Sequence, residues 1–123
     1  MTRPALFLLM AAVILTGCGK KPLDRSSAQL VGGWIPAGTP CESDGGIVYL
    51  KDGSWAAYDQ SGTWALKNGR LTLKITERGG TDTPGREVKG EKPVVSTILS
   101  MSKTALVERG DDGKTLTLKR CGS

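Results

Sequence analysis

Residues 71–76 read Leu-Thr-Leu-Lys-Ile-Thr, an unbroken alternation of apolar and polar side chains just behind Asn68-Gly69. Side chains of a strand point alternately to its two faces, so a period of two buries one face and wets the other. Asn-Gly supplies the two positive-φ positions of a type I′ turn, which makes this strand the second arm of a hairpin. The pattern returns at 115–119 (Thr-Leu-Thr-Leu-Lys), and residues 94–101 and 104–109 carry enough β-branched side chains to be strands as well. Upstream, residues 31–35, 46–50, 54–58 and 62–67 are short runs. Turn signals at Asp52-Gly53 and at 59–62 separate several of them, and 110–113 is a further turn. This makes about eight strands, nearly all linked as hairpins. Seventeen glycines and only 5% aromatic residues fit short strands and tight turns better than a helical bundle. A chain of 123 residues allows one domain.

Ahead of these strands stands a segment of another kind. Arg3 precedes an uncharged apolar run over residues 5–15, too short for a membrane span and suited to the central part of an export signal. It ends in Leu15-Thr16-Gly17-Cys18, which resembles the lipobox of bacterial lipoproteins. The resemblance implies cleavage between Gly17 and Cys18, a lipid on the Cys18 sulfur and acylation of the new amino terminus with a palmitate-type chain. Residues 1–17 are then a signal peptide, 18–29 a lipidated Cys and polar tether, and 30–123 the folded domain. Gly19 rather than Asp after the lipidated Cys favours, by analogy, the outer membrane facing the periplasm. Lys20 and Lys21 can touch anionic headgroups or simply be solvated, and the tether can form one helical turn capped by Ser26 or Ser27.

With Cys18 lipidated, Cys41 and Cys121 are the remaining sulfurs of three, and an exported compartment is oxidising. A Cys41–Cys121 disulfide is expected, closing nearly the whole domain. A redox pair is not, because there is no Cys-x-x-Cys spacing and no histidine to activate a thiolate. Consecutive hairpins give an up-and-down meander, and eight strands can close into a small antiparallel barrel that has no free edges. The disulfide would clamp its seam. The one long connection, residues 79–93, is rich in Gly, Pro and charge and is expected to be mobile.

Leu30-Val31-Gly32-Gly33-Trp34 resembles the Gly-x-Trp opening of lipocalin-like domains, with Gly32 and Trp34 in the matching positions. Asp52-Gly53-Ser54-Trp55, then Gly62-Thr63-Trp64-Ala65-Leu66, then Asn68-Gly69-Arg70-Leu71-Thr72-Leu73 is similar in order to small bacterial lipocalin-like lipoproteins. The resemblance covers residues 30–76 and, by pattern only, the C-terminal half. It implies an all-β, lipocalin-like barrel with Trp34 packed beneath its floor. It implies no activity.

Candidate functional residues are few. Trp34 and Trp64 are expected to pack in the core or at a barrel end, with Leu71, Leu73, Ile75, Leu116 and Leu118 as filling. Trp55 and Tyr58 lie near hairpin ends on opposite faces of one strand, so one of them faces out or lines a mouth; these two are the candidate ligand contacts. Glu42-Ser43-Asp44 with Asp111 and Asp112 match no calcium-loop spacing, so no metal is expected. Ser43, Ser61 and Ser96 lack a histidine or evident lysine partner, so no catalytic residues, no enzyme activity and no cofactor are expected. The net charge of +5 is dispersed among acids, and export argues against nucleic acid as a partner. The expectation is a monomeric, membrane-anchored envelope lipoprotein that binds a small apolar molecule or lipid. The alternative is a protein-interaction module of the periplasm, such as an inhibitor of a wall hydrolase or an envelope assembly factor.

Overall fold

The computed structural model describes residues 24–79 and 85–122. Residues 1–17, expected to be a signal peptide, and 18–23, expected to be the lipidated Cys18 and part of a tether, lie outside the described residues, as do residues 80–84 of the long connection.

The chain opens with a short helix, α1 (Arg25–Leu30). Its cap is Asp24 rather than Ser26 or Ser27: the Ser27 amide donates to Asp24 Oδ1 at 2.7 Å, satisfying a first-turn donor. Ser27 and Leu30 are buried, so residues 25–30 pack with the domain instead of serving as free tether.

Nine strands follow: β1 (Gly32–Pro36), β2 (Ile47–Tyr49), β3 (Ser54–Ala57), β4 (Gln60–Lys67) and β5 (Arg70–Arg78), then β6 (Arg86–Glu87), β7 (Val94–Met101), β8 (Ala105–Gly110) and β9 (Thr115–Cys121). All neighbours are antiparallel. The order β4-β3-β2-β1-β9-β8-β7-β5, with β4 also paired to β5, is a closed eight-stranded up-and-down barrel. The expected architecture is therefore present, and every expected strand is found within a few residues of its place. Asn68 (φ 51) and Gly69 (φ 80) make the turn expected of Asn-Gly.

The ninth strand, β6, was not foreseen. It pairs with Glu77 and Arg78 on the same edge of β5 whose first half, Arg70 to Leu73, pairs with β7. Arg78 fixes it there: its Nε and Nη2 donate to the two Glu91 carboxylate oxygens at 2.8 and 2.7 Å, and its Nη1 donates to Gln60 Oε1 at 3.0 Å. Val88 adds a backbone bond to Thr76 and packs on the core. Residues 85–93 are thus tied to the wall as a strap, against the expectation of a mobile connection, because a bidentate ion pair and an apolar anchor hold them.

Alternation decides what lies inside. Trp34, Tyr49, Trp55, Trp64, Leu66, Leu71, Ile75, Leu106 and Leu118 are buried and form one cluster with Leu30 of α1. Leu116, expected in the filling, is instead 44% exposed. It shares the inner face with Leu118 but lies two residues nearer the β8–β9 turn, where the barrel opens.

The floor is built by Trp34, Arg120 and α1. Trp34 is 1% exposed, and its indole N–H donates to the Leu30 carbonyl at 2.9 Å. Gly32 leaves the space that Arg120 fills, since a Cβ there would stand 2.4 Å from Arg120 Nη1. The Cys41–Cys121 disulfide is present, with a Cα–Cα distance of 5.7 Å and a sequence separation of 80. It ties the loop after β1 to the outer face of β9, where Cys121 is already in register with Gly33 of β1.

Candidate functional site

Outside the barrel, the first three strands and the disulfide loop enclose a groove of about 350 Å³. Its bed follows from the register: Gly33 faces Val48, which faces Ala56, so two small side chains flank one larger one on the outer face. Cys41, Ser43 and Asp44 form the far wall, held in place by the bond to Cys121, and Tyr58 stands at the other side. Ile35 is buried beneath the loop, whereas Val48 and Tyr58 are 42% and 47% exposed. The groove is concave, mostly apolar and within the size range of small-molecule pockets.

Of the two candidate contacts, Tyr58 lines this groove and Trp55 does not. Trp55 points inward, is 3% exposed, and donates its indole N–H to the Lys74 carbonyl at 3.1 Å. It lies over Gly62, its cross-strand partner, where a Cβ would come 1.7 Å from the Lys74 oxygen. The two aromatic side chains, three residues apart, therefore sit on opposite sides of the wall.

Inside, Tyr49 meets Trp64 edge to face, with ring centroids 5.6 Å apart at 76°. Trp64 donates its indole N–H to the Leu50 carbonyl at 3.1 Å, closing the space under the β2–β3 turn. Polar groups interrupt this filling, among them Ser96, buried opposite Leu71, and Glu108 with Tyr49. Leu106 and Leu118 are cross-strand partners and both buried; two residues on, Glu108 and Leu116 are partners on the same inner face. Glu108 thus faces the lumen, and burial pushes its carboxyl above the usual range. Tyr49 is 3% exposed, and its phenol is pushed up first by burial and then by the charge of Glu108.

A second opening, of about 410 Å³, lies where β5 parts from β7, between Ile75 and Val88 of the strap. Hydrogen bonding from Arg78 holds the Glu91 carboxyl at its rim below its usual range.

The sequence reading left Arg120 among the dispersed charges, took Tyr49 only as one of the packing aromatics, and did not single out Glu108. The signal for Glu108 was available: it is two residues from Leu106 in a strand, hence on the same face. Arg120 gave no such signal, because its partners are backbone carbonyls far away in the chain.

Among the described residues no group of three or more His, Cys, Asp or Glu side chains is placed to hold a metal ion. No family model, curated protein or solved structure matches the chain.

Proposed function

We propose that this chain is a non-catalytic binding lipoprotein of the bacterial envelope, anchored through a lipid on Cys18 at the periplasmic face of the outer membrane. It takes a small apolar molecule or a lipid tail in the outer groove of β1–β3. The observation that supports this reading most is the groove itself: a mostly apolar concavity on the barrel face, with one side fixed by a disulfide. A preformed concavity loses little entropy on binding, so even a small ligand is held usefully. Tyr58 contributes an amphipathic rim and Trp55 only the wall behind it.

Native mass spectrometry of the lipidated chain, extracted from its own membrane in detergent, tests the reading. The expected result is a reproducible extra mass, released on denaturation and lost in a Val48→Asp, Tyr58→Asp variant. A bare chain, or an extra mass equally present in the variant, overturns it.

A second reading is supported by the same face. Val48, Leu50 and Tyr58 are each more than 40% exposed, an apolar strip of the kind that meets a protein partner. Photo-crosslinking from position 50 to one envelope protein, with the groove bare, would favour it.

A further inference from the structure

The net charge of the described residues is gathered at one end of the barrel. Strands of an up-and-down barrel alternate in direction, so the β2–β3, β4–β5 and β7–β8 turns all lie at the floor, where α1 enters β1. Register and contact agree. Gly32 at the start of β1 faces Tyr49 at the end of β2, α1 packs against β4, and Arg120 joins Gln29 and Val31 to Lys103. These elements carry Arg25, Lys51, Lys67 and Lys103, all exposed, and none of the four makes an ion pair among the described residues. Arg120 adds a further cation among them. The acids at this end are Asp24 and Asp52, and both already accept backbone N–H groups, from Ser27 and Ser54. Glu42 and Asp44 stand on the disulfide loop at the flank, and Arg70 is paired along the wall with Asp111 at 3.8 Å. With the charges of the floor set aside, the basic and acidic side chains among the described residues are equal in number.

We propose that the floor is a docking surface for anionic phospholipid headgroups, which seats the barrel on the membrane that carries its anchor. This rests on the reading of Cys18 as the lipidated residue. Between Cys18 and Asp24 the chain can extend by at most about 20 Å, and exposed charges act across about 8 Å at physiological ionic strength. The chain enters at the floor, so the anchor brings this end to the headgroups. Lys20 and Lys21 precede Asp24 in sequence and add to the same charge. An exposed turn lysine is ordinarily just solvated. What sets these apart is that they are unbalanced, and at the end where the chain enters. Cations borne on a helix, a strand end and two turns suit a sheet of headgroups better than one small anion, which needs donors that converge.

The test uses the full chain in dodecylphosphocholine micelles, with backbone amide shifts as readout. Dihexanoyl phosphatidylglycerol is added, or dihexanoyl phosphatidylcholine as the uncharged control. The expected result is saturable shifts at Arg25, Lys51, Lys67 and Lys103 with phosphatidylglycerol alone, and none at Asp59 or Asp112 of the opposite turns. Lys51→Glu, Lys67→Glu, Lys103→Glu should weaken the apparent affinity at least about tenfold. Lys89→Glu, Lys114→Glu, away from the floor, should leave it intact. Molar salt should weaken the response of the unmutated chain in the same way, which serves if the first variant does not fold. Shifts spread over both ends, an equal response to phosphatidylcholine or to inorganic phosphate, or unchanged binding by the charge-reversed floor overturns the proposal. The mass of the same chain reports the lipid on Cys18. A chain without it overturns the anchor whatever the floor does, and a lipidated chain whose floor stays silent overturns the floor alone.

Discussion

The Arg120 guanidinium lies 4.1 Å from the centre of the Trp34 ring and reaches past it to three backbone carbonyls. One side chain on the last strand thereby holds the first strand, the helix before it and the β7–β8 turn together. Each of its donors has a fixed direction, which is what a planar guanidinium supplies and an ammonium does not.

Arg120→Lys should therefore fail to rescue the floor. Both Arg120→Ala and Arg120→Lys are expected to lose about 2 kcal/mol or more of stability, from the ring contact and the stranded carbonyls. Urea unfolding followed by tryptophan emission measures this; a Lys variant as stable as the parent would show that charge alone suffices.

Opening the Cys41–Cys121 bond should cost more. The chain-entropy model assigns about 4.5 kcal/mol to a loop of this length, comparable to the whole stability of a small domain. Cys41→Ser, Cys121→Ser is expected to lower the unfolding midpoint steeply, and unfolding with and without reductant reads the same quantity in the parent. The outer groove should also lose its far wall, since the loop bearing Ser43 and Asp44 is pinned there.

Gly62→Ala is expected to break the fold locally. The added carbon would stand 1.7 Å from a backbone oxygen of β5, which no side-chain rotation relieves. Amide exchange should rise along β4 and β5 first, and a fully protected variant would contradict the close approach.

Glu108 makes the stability depend on pH in an unusual direction. Burial raises its carboxyl in the folded chain, so the folded state binds the proton more tightly than the unfolded state does. At neutral pH the group disfavours folding; the penalty fades as pH falls through the folded value and is gone below the unfolded one. Glu108→Gln should accordingly be more stable than the parent at pH 7 and no more stable at pH 3. Thermal unfolding across that range decides it, and a constant difference would mean that the carboxyl is not desolvated.

Much of this barrel was legible because β structure writes locally. Asn68-Gly69 dictates its own turn, and the alternation at 71–76 fixes which face of β5 turns inward. The disulfide was legible for a chemical reason, since Cys41 and Cys121 were the two sulfurs left. What stayed hidden depends on the tilt and closure of the sheet. Leu116 and Leu118 read identically in sequence, yet the first reaches the rim and the second the core. Strand β6 is two residues long and exists because Arg78 finds Glu91, a pairing no local pattern announces. The groove beside Tyr58 needs Gly33 and Ala56 brought into one row by the register of three strands, which no single strand's pattern announces.

The short helix capped by Asp24 gives the barrel a polarity. It enters at the floor, beneath Trp34, while the β3–β4 and β8–β9 turns lie at the opposite end. Any attachment made upstream of Asp24 therefore grips the domain by its sealed base, like a cup on a stem. The open rim then points away from any such attachment, while the disulfide, beside Gly33, sits on the flank close to the base.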